Sequence, residues 1–325
     1  MTISAAIALE PRTGSKRDQG QRGRILGARH SRRRGLHSLG LALAIAVAPS
    51  IAAAEDDGPA KTGASAGPFY ALDTKNLFGF LEGADVGEQG DRSLEFETTG
   101  SFGREQGVYN SIEQEIIFEP TLTDSLGVEF GAHVLGQDVH GVPGLPDFAG
   151  VNFMGASVEL RYVVMHRTAD LPIQLTMTVE PEYNSIAEAG RQANDFSTTF
   201  LAVADMISSD RRLYGAVNLG YAPDGARLPG QPWQDTAILS ASTALSYRLT
   251  PPLMFGAEAD YDRAYSGLAP RGFDGQAVYL GPTFHYQINE KIDLSAAFLA
   301  QAPAGRLDFD DFPRELAKLR LEVEF

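Results

Sequence analysis

In Leu319-Arg320-Leu321-Glu322-Val323-Glu324-Phe325 every second side chain is apolar and every residue between is charged. Successive side chains of a β-strand point to opposite faces, so this period of two predicts a strand with one greasy and one polar side. Working back along the chain, the same pattern recurs. Leu126, Val128, Phe130, Ala132 and Val134 enclose Glu129 and His133. Ile173, Leu175, Met177 and Val179 alternate with Gln174, Thr176, Thr178 and Glu180. Leu253, Phe255, Ala257, Ala259 and Tyr261 alternate with Glu258, Asp260 and Asp262, and Ile292, Leu294, Ala296 and Phe298 with Asp293 and Ser295. No segment of comparable length carries the 3.6-residue period of a helix.

The connections between these runs alternate in length. Short, turn-like ones are expected at 120–125, 165–172, 207–211, 249–252 and 288–291, and longer polar ones at 136–150, 183–194, 223–234, 264–275 and 303–314, with a smaller one near 103–107. This predicts about twelve strands of roughly ten residues, the length a tilted membrane strand requires. A β-sandwich would also alternate, but nothing in it would collect the long loops at one end. Strands with an edge unpaired in lipid are not viable, so the sheet is expected to close. The fold class is thus all-β, a transmembrane up-and-down antiparallel barrel over 92–325. Gln114, on the apolar phase of its strand, and Pro282 interrupt the pattern.

Composition limits the alternatives. There is no cysteine, which removes disulfides and thiolate metal sites. Outside the N-terminal region no run of about 18 apolar residues exists, which rules out a helical membrane protein. Residues 1–54 carry nine basic and two acidic residues, then an apolar stretch from Leu39 to Val47 and Ala52-Ala53-Ala54, the layout of a secretory signal peptide. Removing them from the 27 basic and 42 acidic residues of the whole leaves 18 and 40, a net charge of −22. That balance argues against nucleic acid as a partner. Residues 55–91 read as a linker with a possible plug. The stretch 55–67 is acidic, rich in Ala, Gly and Pro and without periodicity, whereas 69–80, with Phe69, Tyr70, Leu72, Leu77, Phe78 and Phe80, is too apolar for free solvent. It is expected to dock in the lumen or against the rim.

The terminal strand, alternating and closing on Phe325, resembles the last strand of Gram-negative outer-membrane β-barrel proteins, and the strand layout resembles their porin-like, transporter-type members. The resemblance implies residence in the cell outer membrane, contact with its lipid and lipopolysaccharide, and reading of the Phe325 strand by the barrel assembly machinery. It says little about activity, because such barrels include channels, hydrolases and autotransporter pores.

With the apolar phase facing lipid, the opposite phase carries Glu113, Glu115, Glu129, His133, Glu159, Arg161, Arg248, Glu258, Asp260, Asp262 and His285, the expected pore lining, along with further acids such as Glu95, Glu97, Glu119, Glu180 and Glu322. Basic residues on that phase are few: Arg161, Arg248, Lys318 and Arg320. Two readings of the lining are open, a cation-preferring passage for small cationic or neutral solutes and a barrel filled by its own side chains. The ladder Glu258, Asp260, Asp262 favours the first, because three like charges on one strand are costly without water or cations. Inward histidines are more often hydrogen-bonded wall residues than ligands, and no metal or cofactor is expected. An enzyme is not expected either: Ser246, Ser295 and His285 are present, but no local motif joins them. A structural or surface-binding barrel acting through loops such as Asp308-Phe309-Asp310-Asp311 is the other class the residues allow. Antiparallel neighbours at the seam should bring Lys318 and Arg320 beside Glu95 and Glu97.

Overall fold

A computed structural model describes residues 72–168, 170–303 and 312–325. The expected signal peptide, the stretch 55–67, Phe69, Tyr70 and the Asp308–Asp311 loop lie outside the described residues.

Twelve antiparallel strands close into one barrel, each paired with its neighbours in sequence and the first with the last. They are β1 (Arg92–Phe102), β2 (Val108–Thr123), β3 (Leu126–His140), β4 (Phe148–Met165), β5 (Ile173–Ile186), β6 (Gln192–Ile207), β7 (Leu213–Arg227), β8 (Gln234–Thr250), β9 (Leu253–Ser266), β10 (Phe273–Asn289), β11 (Ile292–Gln301) and β12 (Glu315–Glu324). The seam runs from Ser93 opposite Glu324 to Phe102 opposite Glu315, so no edge is left. Phe96, Ile116, Phe130, Leu160, Met177, Leu219, Phe255 and Phe298 all point outward and are more than a third exposed. In water such a surface would be a liability; around a closed barrel it is the lipid-facing band.

β11 and β12 have the ten residues expected, but the other strands are longer, up to 18 in β4. At about 3.3 Å per residue that strand runs about 60 Å, well beyond what a membrane requires. The expected loops 136–150 and 183–194 are accordingly cut to 141–147 and 187–191. The physical reason is an inversion of the pattern at the long-loop end. There Tyr109 and Val139, opposite one another on β2 and β3, face inward and are buried, while Asp138 and His140 face out and are exposed. Outside the lipid band, the outer face meets water and the inner face packs on loops, so polar-out replaces apolar-out.

The two irregular positions have local solutions. Gln114 lies outward opposite Thr98, accepts a hydrogen bond from its hydroxyl at 2.8 Å and donates to the Glu97 carbonyl at 2.6 Å, so neither polar group meets lipid unpaired. Pro282 stays in β10 opposite Ala257, and the β10–β11 ladder skips Gly281 and Pro282 without changing register.

Candidate functional site

All the expected lining residues face the interior, and some of them meet residues 72–91 there. This segment folds back inside the short-turn half of the barrel and closes on itself through Leu77 N–H to the Thr74 carbonyl (3.2 Å) and Gly83 N–H to the Lys75 carbonyl (3.0 Å). Leu77, Phe78 and Leu81, at most 1% exposed, pack on Tyr214, Ala216, Ala244 and Met254 of the wall. Each such burial contributes about 1.5–3 kcal/mol. Gly79 is where the segment comes closest to β11: a Cβ there would collide with Ala297. The chain leaves along the β2–β3 turn, with Gly90 N–H donating to the Thr121 carbonyl at 3.0 Å, and then starts β1.

The polar contacts of this plug involve Glu129, Arg161 and Glu258 of the expected lining, along with Glu95, Glu119, Glu322 and Asp205. Lys75 pairs with Glu119, and with Glu129 at 2.7 Å. Burial by itself would lower the pKa of this ammonium, but Glu119 and Glu129 hold it well above the ordinary lysine value. Arg161, fully buried, donates to the Glu82 carboxylate at 2.5 Å, to the Gly83 carbonyl at 2.5 Å and to Glu159 at 3.2 Å. Glu258 accepts three backbone N–H groups, from Gly79 (2.6 Å), Phe80 (2.9 Å) and Leu81 (3.3 Å), so its charge is held by the plug main chain. Asp205 accepts from Thr74 Oγ1 (2.5 Å) and Ala84 N–H (3.0 Å) and pairs with Arg167. Asn76 donates to Glu95 and Glu322 at 2.8 and 2.9 Å.

This revises the ladder on β9. Glu258, Asp260 and Asp262 are not equivalent: Glu258 anchors the plug, whereas Asp260 and Asp262 lie beyond it. The other lining residues are fixed by the wall. His133 lies between two carboxylates, Nδ1 3.1 Å from Glu113 and Nε2 3.5 Å from Glu115. Their ligand atoms fall within 4.8 Å of one another, so this is where a metal ion could be held. Yet each imidazole nitrogen faces a different carboxylate, and an ion could take only one of them. Arg248 donates to the Tyr214 hydroxyl at 2.8 Å. His285 Nε2 is 3.3 Å from Asp293. At the seam Lys318 pairs with Glu97 at 2.5 Å, and Arg320 with Glu95 at 2.7 Å and Glu97 at 2.8 Å, the neighbours expected from strand order. Phe325 is exposed at the short-turn end, its N–H donating to the Arg92 carbonyl at 3.0 Å.

Toward the long loops the lumen holds a chamber with a cavity volume of about 150 Å³. Phe80 of the plug forms part of its floor. Its upper side is narrowed by the 3-10 turn Glu188–Gly190 between β5 and β6, which folds inward; Glu188 accepts from Arg104 at 2.5 Å and from the Tyr109 hydroxyl at 3.0 Å. Among the described residues the chamber lining holds seven carboxylates, of Glu113, Glu182, Glu188, Asp195, Asp224, Asp260 and Asp262, and the ammonium of Lys318, while Arg104 stands beside Glu188 and His133 beside Glu113. Reading the strands alone misses Lys75, Glu82, Arg104, Arg167 and Glu188, because these lie in connections and the plug, where no alternation marks direction. The apolar residues of 69–80 were the available signal that this segment docks.

The fold and the internal plug together define a porin-like outer-membrane β-barrel. Residues 70–321 match a family of unknown function (DUF6662), and the chain belongs to that family. No curated protein matches the chain. Among solved structures, the COG4313 outer membrane channel from Pseudomonas putida F1 is similar over 74% of this chain and 98% of its own length, at 13% identity and a TM-score of 0.51. The NanC porin is 9% identical over 71% of this chain and 98% of its own, with a TM-score of 0.44. The likeness to the first is one of fold, and the lower score of the second carries no argument.

Proposed function

We propose that the chain is an outer-membrane channel for passive passage of small cationic or neutral solutes, held closed in this conformation by residues 72–91. The observation that carries this reading is how the lumen is filled. The short-turn half is occupied by a separate segment held through hydrogen bonds, ion pairs and a small apolar patch, and the barrel's own side chains leave the chamber above it. Without the plug, Glu119, Glu129, Asp205 and Glu258 would line an acidic passage, and a low-dielectric wall focuses such a field on cations. The apolar belt is suited to outer-membrane lipid and lipopolysaccharide, and the Phe325 strand to the assembly machinery. Removing Phe325 should therefore impair insertion far more than removing 55–67.

Planar-bilayer recordings on the full mature chain and on a variant lacking 72–86 test the reading. The expected result is little or intermittent conductance in the first and steady, cation-preferring conductance in the second. If both are folded and silent, the channel reading fails and a structural or surface-binding barrel takes its place.

A further inference from the structure

Charge in the two halves of the lumen is balanced differently, and the surplus in the chamber is localised. Asp260 and Asp262 are 3% and 8% exposed, and each keeps a buried carboxylate oxygen that meets no hydrogen-bond donor among the described residues. The same is true of one oxygen of Asp195, whose carboxyl group contacts that of Asp224 on the next strand. Buried carboxylates left in this way are costly unless they take up a proton or a cation joins them, and a cation that does so displaces the proton.

The surroundings narrow the kind of cation. Asp260 lies directly across the β9–β10 ladder from Tyr279. Tyr279 belongs to an apolar cluster with Phe80, Ile238 and Phe312. The chain already shows what this cluster accepts, since the Lys318 ammonium stands 5.6 Å from the centre of the Phe80 ring. A carboxylate beside an aromatic face suits an ammonium group carrying hydrocarbon, which gains from both charge and ring. A calcium ion requires six to eight oxygen ligands and gains nothing from the rings. A neutral sugar could donate hydroxyls to the carboxylates but would leave their charge unbalanced.

Spacing indicates more than one ammonium. Asp262 is opposite Ser240, and Asp224 opposite Thr236, on the same strand β8. Four residues along β8 and two strand spacings across separate the two aspartate backbones by roughly 16 Å, at about 3.3 Å per residue and about 4.8 Å per strand. Side chains converging into the lumen shorten that span.

We infer that the chamber is a saturable binding site for a linear di- or polyamine, with one ammonium at Asp260 and Asp262, another at Asp195 and Asp224, and the hydrocarbon between them against the Phe80 floor. The inference takes the cation preference proposed above to a specific site, but binding can be read without any current.

The test is calorimetric titration of the detergent-folded full chain with spermidine, with calcium chloride and a neutral disaccharide as comparators, on wild type and on D260N/D262N. Folding of each sample is checked by its heat-dependent gel mobility. Saturable binding of spermidine by wild type, weakened about tenfold or more in the double variant, is the expected result. Asp195→Asn provides a second variant with the same expected direction if the double variant does not fold. Undiminished spermidine binding in folded variants, or no binding to wild type, overturns the site. Calcium that displaces spermidine at equal concentration overturns the amine assignment. Binding without conductance in the plug-deleted barrel would retain the site and remove the channel, and conductance without binding would do the reverse.

Discussion

The short-turn half of the lumen and the chamber above it are walled by the same strands, yet they handle buried charge in opposite ways. Below, the plug supplies partners to the carboxylates: Lys75 for Glu119 and Glu129, and the N–H groups of Gly79, Phe80 and Leu81 for Glu258. Above, among the described residues, Glu188 has Arg104 and Glu113 has His133, but Asp195, Asp260 and Asp262 each keep a buried oxygen without a hydrogen-bond donor. Two positions apart on one strand, Glu258 is satisfied and one oxygen of Asp260 is not. The plug therefore does more than occlude: it compensates charge over half of the lumen. A side chain's position on the inward face does not by itself give its role; what stands opposite it in the lumen does.

Four experiments would break or sharpen that contrast. The largest effect should come from deleting 72–86, which removes both the obstruction and its compensating groups; single-channel conductance should rise from near silence to a steady level. The barrel should remain folded, because its ladder closes without the plug.

Next in size is Lys75→Met. It leaves Glu119 and Glu129 buried and unpaired, and breaking a buried pair in this way costs about 3–5 kcal/mol. Most of that should appear as plug release, read as frequent openings and as proteolytic cleavage within 72–91. An intact, uncleaved plug in the variant would mean that the apolar patch around Leu77 and Phe78 holds the segment unaided.

Glu258→Gln and D260N/D262N separate the two halves directly. The first should raise open probability with little change in selectivity, because a neutral amide binds the three N–H groups more weakly. The second, in the plug-deleted barrel, should shift the reversal potential toward zero. That shift should fade in concentrated salt, where a Debye length of about 10 Å at 0.1 M falls to about 3 Å at 1 M. Equal shifts from both would show that the ladder acts as one unit.

The smallest effect belongs to the seam. Cross-strand pairs contribute about 0.2–1 kcal/mol each, so a double-mutant cycle on Lys318 and Glu97 in denaturant titrations should return a coupling in that range. A coupling of zero would place those charges in water.

The closed all-β barrel was legible in the chain because lipid on one side and a polar lumen on the other impose a period of two that local sequence must obey. Inward placement of Glu129, Arg161 or Asp260 followed from that period, and the neighbours Lys318, Arg320, Glu95 and Glu97 followed from strand order alone. Strand length did not follow, since past the lipid band the environment inverts, as Tyr109, Asp138, Val139 and His140 show, and the apolar-out rule stops holding. Nor could the partners of the lining be read. Lys75 with Glu119, Arg161 with Glu82, and Glu188 with Arg104 are brought together by a segment folding back through the barrel and a turn dipping into it. Those contacts depend on where an aperiodic chain comes to rest in three dimensions, which no local pattern encodes, so only the tertiary structure decided which carboxylates are paired and which remain free.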